Sequence, residues 1–145
     1  MTASPRVALL ATTSFFLLSL TSLRAQTLLQ DVQLAPVGGN PDSSITEFVV
    51  IGNQAYFAAT NQYGRELWVT DGTPSGTRLV IDLYAGTGSS APENLTVFGN
   101  QLVFTADVPG FGREPWITDG TVAGTTLLGD LNPGAAGSTP AHFAA

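Results

Sequence analysis

The sequence contains no cysteine, no lysine and a single histidine among its 145 residues. Without cysteine, neither disulfides nor thiolate metal ligands can hold the fold together. The one histidine, His142, has no second histidine with which to form a zinc site and no cysteine or serine elbow to activate. We therefore predict neither a zinc site nor a nucleophile that depends on histidine.

Residues 1–25 have the pattern of a secretory signal peptide. Arg6 supplies a positive charge, residues 7–20 form an apolar run, and the small residue Ala25 precedes the expected cleavage point. The run is shorter than the roughly 20 apolar residues that a membrane-spanning helix needs, and hydroxyl side chains interrupt it. We therefore predict a secreted, periplasmic or cell-surface protein.

Positive charge is scarce in the mature chain, residues 26–145. Three arginines face eleven carboxylates, which gives a net charge of −8. Such a surface repels phosphate backbones and anionic lipid headgroups, so nucleic acid and membrane are poor partners. The partner that we expect is an extracellular ligand, either a glycan or a protein.

The sequence repeats itself after leaving the signal peptide. Residues 64–77 recur as residues 112–125 at a constant spacing of 48, whereas the pair Gly52-Asn53 recurs as Gly99-Asn100 at a spacing of 47. One extra residue must therefore lie between these points in the second copy, and we expect it in an exposed loop at residues 108–111. A fixed period of this length is typical of repeat architectures.

The repeat divides the chain into five parts, each with its own expected structure. These are a signal peptide (1–25), a partial repeat and loop (26–45), repeat 1 (46–92), repeat 2 (93–140) and the start of a third repeat (141–145). A short strand is predicted over residues 26–34. Four strands are predicted in each full repeat, over residues 47–51, 54–58, 66–70 and 77–83, then 95–98, 101–105, 114–118 and 125–131.

Four short strands in each repeat of 47–48 residues predict an all-β fold of the β-propeller type, with two blades and partial ones. A β-sandwich is the alternative, although it gives no reason for the repeat. Propellers usually need four or more blades to close. Either the chain is a piece of a longer array, or several copies assemble into one homo-oligomeric ring. The sequence stops inside a third copy of the repeat, which favours the first alternative.

The segment Glu66-Leu67-Trp68-Val69-Thr70-Asp71-Gly72-Thr73 resembles the bacterial ELWxxDGT repeat family. The resemblance covers residues 26–145, and it implies exported tandem repeats similar in strand pattern to propeller blades, with no catalytic residues. The second copy departs from the pattern at Pro115, which replaces Leu67. Proline lacks an N–H, so we expect this position at an edge, a strand start or a bulge, and the Leu67 N–H without a ladder partner.

Structural roles are predicted for the polar and aromatic residues of the motif, because each of them occurs twice. Tryptophan is expected to pack between blades, arginine to bond a nearby turn with Asp71 or Asp119 as its target, and aspartate to cap its own turn. An aromatic sugar platform and a calcium site involving these aspartates, Asp82 and Asp130 are the alternatives. The motif residues are Arg65, Glu66, Trp68, Asp71, Gly72, Thr73, Arg113, Glu114, Trp116, Asp119, Gly120 and Thr121.

The sequence therefore predicts a non-catalytic binding or structural surface module that needs no cofactor. Repeated polar residues suit several weak contacts better than one reaction centre. The alternatives are a fragment of a secreted hydrolase, with its active site elsewhere in the ring, and a glycan-binding, lectin-like oligomer.

Overall fold

Eight antiparallel strands in two consecutive sheets make up residues 44–144, the part of the chain that the computed structural model describes. The first sheet contains β1 (Thr46–Ile51), β2 (Gln54–Asn61), β3 (Gly64–Thr70) and β4 (Arg78–Ile81), and the second contains β5 (Glu93–Phe98), β6 (Gln101–Val108), β7 (Gly112–Thr118) and β8 (Thr126–Leu127). Strands neighbour each other in chain order in both sheets. The prediction of an all-β fold with four strands in each repeat is confirmed. The predicted signal peptide and the strand over residues 26–34 lie outside the described residues.

The predicted hairpin turns are present at the start of both sheets. Ile51 pairs with Gln54, so Gly52 and Asn53 form a two-residue loop. Gly52 has a φ of 61°, as does Gly99 in the second sheet, while neither following asparagine has a positive φ. A positive φ at the first central residue alone is the requirement of a type II′ turn, and this explains why glycine occupies the position.

The extra residue of the second repeat lies where the spacing predicted it. The β2–β3 loop consists of residues 62–63, and the β6–β7 loop consists of residues 109–111. Tyr63 and Phe111, which occupy matching positions before the next strand, are 41% and 40% exposed. The insertion therefore lengthens a solvent-exposed hairpin tip and leaves both sheets intact.

The fourth strand of each sheet is shorter than the predicted 77–83 and 125–131. It ends at Ile81 in the first sheet and at Leu127 in the second. The reason is that the following backbone bonds a side chain of the third strand. The Leu83 N–H donates to Glu66 and the Leu131 N–H donates to Glu114.

Pro115 lies in β7, which has β6 on one side and β8 on the other. The expectation that Pro115 lies at a sheet edge or at the start of a strand is therefore wrong. The expectation of a bulge fits Leu67, the matching residue of the first repeat. The β3–β4 register shifts between Leu67 and Trp68, and the Pro115 carbonyl accepts a hydrogen bond of 2.9 Å from Leu128, just beyond β8. Whether the Leu67 N–H lacks a ladder partner stays a prediction.

The hydrophobic core lies between the two sheets. We call front the face of the first sheet that carries the cross-strand neighbours Val49, Tyr56 and Val69. This face packs against Leu102 and Phe104, on the opposite, back face of the second sheet. The two sheets therefore stack front to back. This stacking fits the β-sandwich alternative too, and within residues 44–144 the sheets close into neither a barrel nor a ring.

Polar contacts fix how the two sheets are oriented. The Tyr56 hydroxyl, near the start of β2, donates to the Asp119 carbonyl at 3.3 Å, and the Arg78 guanidinium donates to the Gly120 carbonyl at 2.8 Å. The β1–β2 turn and both Asp-Gly-Thr loops therefore lie at one end of the stack. No helix long and apolar enough to cross a membrane occurs in residues 44–144.

Candidate functional site

The Asp-Gly-Thr loop after β3 is held by its own aspartate. Asp71 Oδ1 accepts hydrogen bonds from the Thr73 N–H at 2.9 Å and from the Thr73 hydroxyl at 2.7 Å. Asp119 and Thr121 repeat both bonds at the same two distances. These bonds, the threonine hydroxyl first, lower the pKa of both aspartates below the usual value. The motif aspartates thus accept local turn hydrogen bonds.

Threonine hydroxyls close the same loop from the strand side. Thr70 and Thr77 approach each other at 2.7 Å through their hydroxyl oxygens, and the Gly72 N–H donates to Thr70. Gly72 and Gly120 have φ values of 90° and 89°, a conformation that a side chain would strain. The second repeat has the same bonds through Thr118 and Thr125.

Glu66 is fully buried and anchors the loop that leaves the first sheet. Its Oε1 accepts the Ser90 N–H at 2.8 Å, and its Oε2 accepts the Ser90 hydroxyl and the Leu83 N–H at 3.3 Å. A buried carboxylate is tolerated because several donors surround it. The loop is thereby tied to the centre of β3.

Glu114 does the same for the loop that follows β8. It accepts the Leu131 N–H at 3.2 Å, the Asn132 N–H at 3.3 Å and the Ser138 hydroxyl. This role of the two glutamates was not predicted from the sequence. The available signal was a serine 24 residues after each glutamate, which repeats as strictly as the motif itself.

The two glutamates differ in the direction of their pKa shifts. Burial raises the pKa of Glu66 and outweighs the hydrogen bonds that lower it. Burial acts in the same direction on Glu114, but there the hydrogen bonds win and its pKa is lowered. The loop at residues 131–136 is exposed, whereas residues 82–84 are half-buried, so water reaches the surroundings of Glu114 more readily.

The arginines bond turns, but their partners differ from the predicted aspartates. Arg65 donates to the Ser44 carbonyl at 2.7 Å and to the Thr46 hydroxyl. The predicted target, Asp71, lies beyond the opposite end of β3, about 20 Å away along an extended strand. The arginine therefore fixes the entry to the first sheet.

The second arginine uses the matching partners one repeat later. Arg113 donates to the Ala91 carbonyl at 2.9 Å and forms an ion pair of 3.4 Å with Glu93. The predicted target, Asp119, again lies beyond the other end of the strand. Each arginine joins the start of the third strand to the entry of the first strand of its own sheet.

The tryptophans lie on the back faces of their sheets. Trp68 pairs with Phe57, and Trp116 pairs with Phe104 and packs against the core between the sheets. Both side chains are half-buried, and both indole Nε1 atoms are buried without a hydrogen-bond partner. Neither indole offers the open face that a sugar platform needs.

Few side chains in the described part of the chain are candidates for binding a metal ion. One Asp82 oxygen accepts the Gly86 N–H at 3.1 Å, while its other oxygen and the matching Asp130 oxygen are buried without a partner. His142 is exposed near the end of the described segment. Within residues 44–144, no group of three or more histidine or acidic residues could hold a metal ion.

The side chains of the motif thus form repeated hydrogen bonds within the protein that hold its loops and strands in place. Its carboxylates and guanidinium groups bond the loops and strand entries of their own sheets in both repeats. No protein-family model, curated protein or solved structure matches this chain. The geometry of residues 44–144 is therefore the basis for the proposals below.

Proposed function

We propose that this chain is an exported, non-catalytic repeat module of the ELWxxDGT type that serves as a binding or structural surface protein. Its two sheets are blades of a β-propeller-like array. The front-to-back stacking of successive four-stranded sheets supports this architecture, because each blade of a propeller is covered by its neighbours in this way. The predicted signal peptide and the acidity of the mature chain support an extracellular role.

The observation that carries the binding proposal is a pair of exposed aromatic side chains. Tyr63 and Phe111 occupy matching hairpin tips, and about two fifths of each side chain is open to solvent. Elsewhere the motif directs its large side chains inward. We infer that this repeated, exposed aromatic residue is a contact point for a ligand, because an aromatic ring buries a large apolar area when a partner covers it.

The two aromatic tips lie at the same end of the stack. The inter-sheet bonds from Tyr56 and Arg78 place both Asp-Gly-Thr loops at one end. In an antiparallel meander the β2–β3 and β6–β7 tips lie at the other end. A polymeric ligand, such as a glycan chain, can therefore contact both tips at once and gain from the local concentration of the second site.

A reaction centre is less well supported by the geometry. Glu66 has the raised pKa of a candidate acid, yet its side chain has no exposed surface and its oxygens accept three hydrogen bonds. A catalytic carboxyl must reach its substrate. The hydrogen bonds that Glu66 accepts from the following loop account for this buried carboxylate without a catalytic role.

A glycan array probed with residues 26–145 tests the proposal. The double variant Tyr63→Ala/Phe111→Ala is expected to weaken binding about 30-fold, if each aromatic contact contributes about 1 kcal/mol. Val122→Ala is the matched control, because Val122 is 63% exposed but lies in a loop at the opposite end of the stack. Absence of any bound glycan, or equal binding by the double variant, would contradict the glycan-binding role.

A further inference from the structure

The front face of the second sheet is an open apolar groove. Phe98 and Leu128 line it, and each is 53% exposed. The groove side chains contributed by the sheet and by the residue after β8 are Thr96, Phe98, Val103, Ile117 and Leu128. Large exposed apolar side chains that share one concave surface indicate an interaction site.

The groove has a counterpart in the first sheet that is already covered. Shifting its residues back by one repeat gives Val49, Ile51, Tyr56, Val69 and Val80. All five belong to, or pack on, the core between the sheets. The groove is therefore the same surface as the first sheet's front face, without a sheet stacked on it.

The chain itself begins to fill this groove in the way that the second sheet fills the first. Phe143 lies in the groove, and its counterpart one repeat earlier, Leu95, lies in the core between the sheets. The backbone leading to each residue has the same unusual shape. The φ values are 43° and 58° at Ala91 and Asn94, and 48° and 60° at Thr139 and His142.

We propose that the groove is the docking surface for a third four-stranded sheet of the same repeat, entered directly from Phe143. The inference deepens the proposed array and rests on it. The incoming sheet would present a back face like that of the second sheet, where Leu102, Phe104 and Ala106 are fully buried against the first sheet. Phe143 would be the first residue of the incoming sheet to pack in the new core, as Leu95 is for the second sheet.

A second copy of this chain fits the groove less well. Docking front to back requires a free back face, but Phe57 and Ala59 of the first sheet and Phe104 of the second have no exposed surface. The chain's own Phe143 also occupies the first position of the groove. The occupant is therefore a further sheet that continues from the same chain.

Extending the chain tests this assignment. A copy of residues 96–140 is fused directly after Phe143 of the mature protein, which restores the repeat spacing. We expect the extended protein to resist proteolysis throughout and to unfold in one transition at a higher urea midpoint. Protease digestion of the added segment, or an unchanged urea midpoint, would overturn the proposal.

Paired variants of the extended protein separate docking from general stabilisation. Phe98→Asp places a charge in the groove and should release the added sheet to protease, whereas Val122→Asp, in an exposed loop outside the groove, should not. Equal effects of the two variants would overturn the proposal. So would a dimer of the unextended chain that Phe98→Asp dissociates, since a second copy would then be the occupant. These readouts do not depend on any external ligand, so failure here is distinguishable from failure of glycan binding.

Discussion

Glu66 and Glu114 show how a charged side chain can serve the interior of a β-protein. Each carboxylate is fully buried, and each accepts hydrogen bonds from a serine and from the backbone of a loop. An unpaired buried donor costs about 1–3 kcal/mol, so Glu66 stabilises a loop whose buried Ser90 N–H would otherwise lack a partner. The same arrangement makes the stability of the fold dependent on pH.

The variant Glu66→Gln is expected to be less stable than the wild type and less sensitive to pH. Its amide NH₂ cannot accept the Leu83 N–H, which leaves one half-buried donor unpaired at a cost of about 1 kcal/mol. Because burial raises the folded-state pKa of Glu66, the wild type should lose stability as pH rises from the usual glutamate pKa of 4.5 through the folded pKa. Urea unfolding between about pH 4 and pH 8 should show this slope in the wild type and its loss in the variant.

Glu114→Gln is the matched control for the sign of this effect. The folded-state pKa of Glu114 is lowered, so its ionised form contributes stability above the usual pKa, and that contribution is lost as pH falls through the folded value. Removing it should flatten the acidic side of the stability profile. Identical changes of slope in the two variants would contradict the opposite environments described for the two residues.

At the scale of the strands and turns, glycines that share a positive φ differ in what surrounds them. Gly52 and Gly64 both have a positive φ, but a Cβ on Gly52 would meet nothing within 4 Å. A Cβ on Gly64 would lie 1.6 Å from the Gly88 carbonyl oxygen, in the loop that runs to the second sheet. The first glycine serves its turn alone, and the second allows a close approach of two backbone segments.

Substitution by alanine should separate these two roles. Gly52→Ala is expected to cost about 1–2 kcal/mol, the penalty for a side chain at positive φ. Gly64→Ala should cost clearly more, because the backbone of the β4–β5 loop must also move. Free energies of unfolding from urea titrations give the comparison, and equal losses would show that the loop adapts without strain.

The local elements of this structure, its turns and hairpins, were predictable from the sequence. The type II′ turns, the Asp-Gly-Thr turns and the extended hairpin follow from neighbouring residues, since glycine and aspartate specify their own backbone. The arginine targets were wrong and the glutamate role was missed. Both depend on how strands and loops distant in sequence come together, as with Ser90, which lies 24 residues after Glu66. The groove was beyond prediction because it required knowing which face of each sheet is covered.

At the scale of the two sheets together, an apolar interface and several hydrogen bonds join them, among them the Leu95 N–H of β5 donating to Glu47 of β1 at 3.3 Å. The core includes buried side chains from both sheets, so neither sheet is complete without the other. Tyr56 and Arg78 add hydrogen bonds from the first sheet to the Asp-Gly-Thr loop of the second. Repeat proteins of this kind gain much of their stability from interfaces between neighbouring units.

The two tryptophans allow this coupling to be measured one sheet at a time. Trp116→Phe leaves Trp68 as the reporter of the first sheet, and Trp68→Phe leaves Trp116 as the reporter of the second. The two urea transitions should coincide, because the sheets share one core. Adding Tyr56→Phe/Arg78→Ala to each reporter should cost about 1 kcal/mol for each hydrogen bond lost and draw the transitions apart. Transitions that remain superimposed at unchanged midpoints would mean that these two hydrogen bonds do not couple the two sheets.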